Sequence, residues 1–243
     1  MKFEEIIKTI SATIAAIAVY LLAAGFYLGA KGFVMGSDGV PVLVKTANAS
    51  PLKIDSNIVL PEGRILGKKN APIAIYEFSS FGCYHCAEFH LGTLPRIKKE
   101  YIDKGIIKLV FIPFPLEQKS MHATLISECL SNDNYFSFVD TMFKKQREWW
   151  LSRDSEDVIL QYAKHSGLDE TRARACLKNE DKAREIIAKR QMSMESFQIQ
   201  GTPSFLIALK NNREVRYGAP SFDDIKQIVD SHLNNKNEKT AKK

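Results

Sequence analysis

Two cysteines in the segment Cys83-Tyr84-His85-Cys86 follow an apolar run, Ile73 to Phe78, and open a helical pattern. This order predicts a thiol at the end of a strand, on the first turn of a helix. Unpaired N–H groups and the helix dipole stabilise a thiolate there. Cys86 follows one helical turn later, close enough for the two sulfurs to bond. Such a pair accepts and donates two electrons by thiol–disulfide exchange.

The alternative for this motif is half of a zinc or copper site, completed by His85 or His90. Cys83, His85 and Cys86 lie too close together along the chain for an easy tetrahedron, and the other two cysteines stand alone. The strand–helix context therefore favours redox chemistry that needs no cofactor and no metal. A copper or zinc metallochaperone remains the less favoured hypothesis.

The amino terminus carries an uncharged, mostly apolar stretch from Thr9 to Ala30, preceded by Lys2 and Lys8. At about 1.5 Å per residue it just spans a bilayer core of roughly 30 Å, and it exceeds the signal-peptide core of about 7–15 residues. We expect residues 1–30 to form an apolar helix that is either a membrane anchor or a cleaved signal peptide. Both put the remainder of the chain outside the cytoplasm, where disulfides persist.

The chain has 4 cysteines. If Cys83 bonds to Cys86, then Cys129 and Cys176 remain as a candidate structural disulfide. The alternative is a pair of buried, reduced thiols, because spacing along the chain does not show proximity in space.

The net charge of +6 in 243 residues is modest, and several of the lysines lie in a polar segment, residues 237–243. That composition predicts a solvated tail. Basic residues are not interleaved with aromatic ones in a stripe, so nucleic acid is not an expected partner.

Residues 31–63 predict a linker, to which 54–60 can add an edge strand. Strand, helix and strand signals follow at 71–78, 83–104 and 106–113, and Pro95 is expected to kink or break the helix. The long crossover between the strands indicates a parallel pair and hence an α/β fold. Residues 117–198 predict only helices. Strand signals return at 201–208 and 214–217, and a last helix begins near Pro220.

Together these residues resemble the thioredoxin superfamily, and within it the DsbA-like periplasmic thiol oxidoreductases of bacteria. Three features carry the resemblance: Cys83-Tyr84-His85-Cys86 after a strand, Thr202-Pro203 at the start of a later strand, and the helical segment between the two strand pairs. The resemblance covers roughly residues 64–236. It implies a thioredoxin-fold domain formed by 64–116 and 199–236, with an inserted helical domain at 117–198.

The resemblance also implies roles for individual residues. Cys83 is expected to be the exposed sulfur that exchanges with substrate, and Cys86 the shielded, resolving thiol. His85 is expected to stabilise the thiolate, which makes the disulfide a stronger oxidant. Glu77, an acid inside an apolar strand, is expected to move the proton of the resolving thiol.

Tyr84 stands where many members of the family have proline. With Thr202 and a cis Pro203, it is expected at the edge where an extended substrate binds beside the disulfide.

The implied function is donation of the Cys83–Cys86 disulfide to reduced, exported proteins in the bacterial periplasm. The protein is expected to be a monomer, soluble after signal cleavage or tethered to the inner membrane, and reoxidised by a membrane oxidase. The alternative within the same class is a thiol reductant or isomerase. Residues 31–60 are too short to supply a dimerisation domain, which counts against a dimeric isomerase.

Overall fold

The computed structural model describes residues 33–35, 41–43, 51–209 and 212–241. The apolar helix expected at 1–30 lies outside this part of the chain. No helix among the described residues is both long and apolar enough to cross a bilayer. The chain divides into two units, Met1–Asn48 and Ala49–Lys243. In the first, strand β1 (Phe33–Met35) pairs antiparallel with β2 (Pro41–Leu43).

The second unit is built on a six-stranded mixed sheet in the order β3-β8-β7-β5-β6-β4. Its strands are β3 (Leu52–Lys53), β4 (Arg64–Leu66), β5 (Ile73–Ser79), β6 (Ile107–Pro113), β7 (Ser204–Leu209) and β8 (Asn212–Tyr217). β5 and β6 are parallel, and every other pair of neighbours in this sheet is antiparallel. The parallel pair is the one that the long crossover indicates.

The edge strand expected at 54–60 was misplaced, because it lies at Leu52–Lys53, where it pairs with β8. Asp55 ends it. The Asp55 side chain accepts a hydrogen bond from the N–H of Asn57 at 2.8 Å, and its carbonyl accepts one from Ile58 at 3.3 Å. This Asx turn competes with strand pairing for the same backbone groups. The region expected to be a linker therefore contributes the outermost strand of the sheet.

All seven residues of β5 are buried, since the strand is central and covered on both faces. One face packs with Phe89, Phe205 and Ile225, and the other with Phe114 and Phe197. Glu77 is the one charged residue of this strand.

A continuous helical run follows β5 and consists of α1 (Tyr84–Glu88), a π-helical turn (Phe89–Thr93), α2 (Leu94–Ile97) and a second π-helical turn (Lys98–Ile102). The run does not break at Pro95, so of the kink or break expected there the break is wrong. Pro95 lies in the first turn of α2, a position that tolerates proline. The π turn before it bonds the Leu94 N–H to the Phe89 carbonyl, so the run passes through the proline by changing its hydrogen-bond register.

Between β6 and β7 the chain is helical. The helices are α3 (Gln118–Glu128), α4 (Asn132–Lys144), α5 (Gln146–Leu151), α6 (Ser155–His165), α7 (Glu170–Leu177) and α8 (Glu180–Phe197). Their aromatic core includes Phe138, Phe143 and Trp149, and it takes in Phe81 from the loop after β5. The insert therefore packs directly on the end of the strand that precedes the cysteines.

The last helix, α9 (Phe222–Ala241), begins with a reciprocal cap. The N–H of Ser221 donates to the Asp224 carboxylate at 2.9 Å, and the N–H of Asp224 donates to the Ser221 hydroxyl at 3.1 Å. The helix extends to Ala241, so it includes most of the segment predicted to be a solvated tail, residues 237–243.

Candidate active site

The loop between β5 and α1 is fastened by α3 of the insert. The Gly82 N–H donates to the Ser120 hydroxyl at 2.8 Å, and the Ser80 hydroxyl donates to the same oxygen at 3.0 Å. A Cβ at Gly82 would lie 2.6 Å from the Trp150 ring and 2.7 Å from both Ser120 Oγ and Glu117 Oε1. Only glycine allows the loop this close to the insert.

Cys83 is the N-cap residue of α1, with an extended backbone at φ −77° and ψ 119°. Its carbonyl accepts the first helical bond, from the Ala87 N–H at 3.2 Å. Gln146, at the start of α5, donates its side-chain amide to the carbonyls of Phe81 at 2.7 Å and Cys83 at 2.9 Å. The buried amide thus holds the turn that presents the Cys83 sulfur.

The two thiols of the pair differ in burial and in acidity. Cys83 is partly exposed, whereas Cys86 is fully buried. A hydrogen bond from the Cys86 thiol, with help from the backbone N–H groups of Cys86 and His85, lowers the pKa of Cys83 to about 6. Burial raises the pKa of Cys86 well above its usual value, and the charges of Cys83 and Glu77 raise it further. At neutral pH the exposed sulfur is therefore a thiolate and the buried one a thiol.

The Thr202–Pro203 peptide bond is cis, as the resemblance implied. The Thr202 carbonyl lies 3.2 Å from the Cys83 sulfur. Two segments distant in sequence thus meet at the reactive thiol, and the backbone next to the cis-proline borders it.

His85 projects outward. Its Nδ1 lies 2.8 Å from a carboxylate oxygen of Glu88, and both side chains are exposed. Tyr84 is 63% exposed and makes an edge-on ring contact with His85. Hydrogen bonding to Glu88 raises the pKa of the Tyr84 phenol. The His85 residue lowers the pKa of Cys83 through its backbone N–H, which differs from the imidazole contribution expected from the sequence.

Glu77 is 0% exposed and pairs with His90. The His90 Nε2 lies 3.0 Å from each oxygen of the Glu77 carboxylate. The His90 ring packs on Phe143 with 4.3 Å between centroids. Glu77 is therefore sealed from solvent, and its charge raises the pKa of Cys86.

Sequence reasoning missed His90 and Gln146 as parts of this site. His90 drew attention only as a metal ligand, yet its spacing of one turn from Cys86 on the same helix was a usable signal. Gln146 carried no signal, because nothing local relates it to a loop so far away in sequence. No group of three or more potential metal ligands occurs within the described residues.

Cys129 and Cys176 are bonded to each other in the structure, with an S–S distance of 2.00 Å and 6.4 Å between their Cα atoms. Cys129 is the C-cap residue of α3, and Cys176 lies on α7. The bond joins two helices of the insert and lies at the edge of its apolar core.

A family model described as thioredoxin matches residues 60–231. Among curated proteins, a probable disulfide bond formation protein D from Bacillus cereus is 30% identical over 69% of this chain and 77% of its own length. A putative protein-disulfide oxidoreductase from Rickettsia conorii is 27% identical over 77% of this chain, which spans 64% of that relative.

Solved structures give a similar result. Alpha-DsbA1 from Wolbachia pipientis superposes with a TM-score of 0.68 and 26% identity over 76% of this chain and 97% of that protein. Oxidised BdbD from Bacillus subtilis superposes with a TM-score of 0.60 and 23% identity over 76% of this chain and 98% of its own. The thioredoxin-like fold expected from the sequence is confirmed.

Proposed function

The chain belongs to the thioredoxin superfamily, as a DsbA-like thiol–disulfide oxidoreductase, and we propose that it donates the Cys83–Cys86 disulfide to reduced proteins exported from the bacterial cytoplasm. The observation that carries this proposal is a partly exposed Cys83 at the N-terminus of α1, beside the cis Thr202–Pro203 bond and in front of a fully buried Cys86. These surroundings favour the thiolate, in line with a pKa of about 6 at Cys83. A thiolate stabilised in the reduced form makes the corresponding disulfide a better oxidant.

The cycle begins when a substrate thiolate attacks the partly exposed Cys83 sulfur. The Cys83–Cys86 bond breaks, Cys86 leaves with the electron pair, and a mixed disulfide joins Cys83 to the substrate. A second substrate thiolate then attacks the substrate sulfur, and Cys83 leaves as a thiolate. Cys83 is a better leaving group than Cys86, because its pKa is lower and thiols of lower pKa leave faster. The substrate gains a disulfide, and the enzyme retains two electrons as a reduced pair.

Substrate is expected to lie along the backbone next to Thr202 and Pro203. The Thr202 carbonyl is already 3.2 Å from the Cys83 sulfur, so a chain bonded to that sulfur passes this edge. An extended peptide can add main-chain hydrogen bonds there. Tyr84 offers exposed apolar surface beside the cysteines, as unfolded substrates require.

We also propose a compartment and a redox partner for the enzyme. Disulfide donation needs an oxidising compartment, and the apolar sequence from Thr9 to Ala30 supports export, through a signal or an anchor. Reoxidation needs an electron acceptor, for which a membrane oxidase is the proposed partner. In this step Cys83 attacks the partner's disulfide, and Cys86 resolves the mixed disulfide.

Two measurements on the purified, oxidised full chain test this function. The first is the rate at which it forms disulfides in a reduced, unfolded model protein, compared with the chain carrying Cys83→Ser. The second is the equilibrium of Cys83–Cys86 with glutathione. A strongly oxidising potential is expected. A thioredoxin-like potential would instead support the reductant alternative, and absence of exchange would refute both.

A further inference from the structure

His90 has two ring nitrogens in different surroundings. Nε2 lies 3.0 Å from both oxygens of the Glu77 carboxylate, but the buried Nδ1 has no hydrogen-bond partner among the described residues. Buried polar nitrogens are normally paired, because an unpaired one has lost its hydrogen bond to water without gaining another. An imidazole that binds a carboxylate through one nitrogen and has no partner at the other can take up a proton at one nitrogen and release one from the other.

His90 also lines a groove of about 640 Å³ on the side of the helical run that faces α4. The groove reaches solvent at exposed side chains such as Leu91 and Asp140. Desolvation raises the pKa of the Asp140 carboxyl, and the charge of His90 opposes that rise, so these two groups interact electrostatically. His90 therefore lies at the inner wall of a groove that opens to water.

Disulfide exchange requires that Cys86 gain and lose a proton. Cys86 is fully buried, and burial holds its pKa well above the usual value. Each time it leaves as a thiolate it must gain a proton, and each time it attacks it must lose one. Bulk water does not reach a sulfur that is 0% exposed.

We infer that His90 is a proton-relay residue that connects the Cys86–Glu77 pair to the groove lined by Asp140. The inference rests on the proposed function, because only a thiol that cycles between disulfide and thiol needs the relay. His90 touches Glu77 and not the reacting sulfurs, so it acts through that carboxylate.

The steps balance. When substrate reduces the disulfide, Cys86 leaves with the bonding electron pair and takes up the Nε2 proton of His90, which passes by way of the ionised Glu77 carboxylate. In the same step His90 gains a proton at Nδ1 from the side of the groove, so neither Glu77 nor His90 changes its net charge. In reoxidation the order reverses: Cys86 gives its proton to Glu77, His90 passes one to the groove, and the thiolate attacks the mixed disulfide on Cys83.

The charged and titratable groups near the relay are Glu77 on β5, Cys86 on α1, Lys98 on the second π turn, and Tyr135, Asp140 and Lys144 on α4.

The test uses the reduced full chain mixed with excess glutathione disulfide. Thiolate attack by Cys83 forms a glutathione mixed disulfide, at a rate proportional to the glutathione disulfide concentration. Resolution by Cys86 then releases glutathione, at a rate independent of it. Acid quenching and mass spectrometry measure both steps, and only the second requires Cys86 to lose its proton.

In His90→Gln the amide keeps a hydrogen bond to Glu77 but cannot carry a proton. We expect the first step to be unchanged and resolution to slow at least about tenfold, as for loss of a general base. His122→Gln is the matched control, since His122 is also paired with a glutamate, Glu156, at 3.7 Å, but on the insert. An unchanged resolution rate, or equal losses in both steps, would overturn the relay.

Asp140→Asn provides a second test, which changes an exposed residue instead of a buried one. Removing a negative charge near the imidazole disfavours its protonated form, so the pH profile of resolution should move to lower pH. An unmoved profile overturns the inference even if His90→Gln fails to fold. If the unaltered chain forms no mixed disulfide at all, the proposed function itself fails, which is a separate outcome.

Discussion

The chain contains two cysteine pairs in opposite settings. Cys83 and Cys86 lie one helical turn apart where a strand meets a helix, and one sulfur is partly exposed while the other is buried. Cys129 and Cys176 are 47 residues apart and join two helices of the insert. The first pair is asymmetric in burial and acidity, whereas both members of the second are partly buried against the same apolar core. The environment of each cysteine pair therefore determines whether it exchanges disulfides with substrate or stabilises the fold.

The largest expected effect breaks the first pair. Cys83→Ser should reduce oxidation of a reduced model protein to the uncatalysed rate, because the sulfur open to attack is gone. Cys86→Ser should keep that sulfur and accumulate substrate mixed disulfides, since the resolving thiol is missing. Mass spectrometry of trapped adducts checks both. Adducts that form through Cys86 in Cys83→Ser would reverse the assigned roles.

The second prediction concerns the other pair. Replacing Cys129 and Cys176 with alanine should lower the free energy of unfolding by about 4 kcal/mol, from the entropy of a loop closed across 47 residues. The oxidation rate should stay within about twofold, because the pair does not touch the exchange site. Urea unfolding measures the first quantity, with Cys83→Ser/Cys86→Ser as the common background. Native, oxidised protein in which both thiols can be alkylated would contradict the bracing role.

The third prediction tests whether the helical insert stabilises the turn that carries Cys83. Gln146→Leu leaves the carbonyls of Phe81 and Cys83 without their amide donor. Loss of a buried donor costs about 1–3 kcal/mol, so unfolding should become easier by roughly 2 kcal/mol. Gln161→Leu, at an exposed position of α6, is the control and should change little. Equal stability of both variants would mean that the insert does not support the active-site turn.

The smallest effect is a dependence on pH that only the first pair should show. With a pKa of about 6, the Cys83 thiolate fraction falls about tenfold between pH 7 and pH 5. Alkylation of the reduced protein by iodoacetamide should fall with it. Because the pKa is depressed, the thiolate stabilises the folded, reduced form at alkaline pH, and this contribution is lost as the pH falls through about 6.

Cys86→Ala is the sharper version of that experiment. The hydrogen bond from the Cys86 thiol is the largest cause of the depressed pKa at Cys83, so its removal should move the alkylation midpoint to higher pH. A midpoint that stays at about 6 would assign the effect to the remaining hydrogen bonds, from the Thr202 side chain and from the backbone N–H groups of His85 and Cys86.

Much of the sheet and of the reactive pair could be predicted from local patterns. The buried strand before Cys83 and the parallel partner at Ile107–Pro113 follow from apolar runs and from the length of the crossover. Thr202-Pro203 required the resemblance, because sequence alone shows a proline and not its isomer. The spacing of His90 from Cys86 placed it near the site, but its pairing with Glu77 joins a helix to a separate strand and has no local signal. Gln146 reaches the Cys83 carbonyl only through the docking of the insert, so that contact was not predictable.

The two π turns around Pro95 have a consequence for how this helix tolerates change in length. A π turn holds one more residue than an α turn, so the run from Tyr84 to Ile102 resembles an ordinary helix that has accepted single-residue insertions. Deleting one residue from Phe89–Thr93 would restore the α register and leave the residues beyond it on the same faces of the helix. Among homologous chains, a one-residue gap in this stretch is therefore expected to occur without compensating changes in the apolar residues that follow.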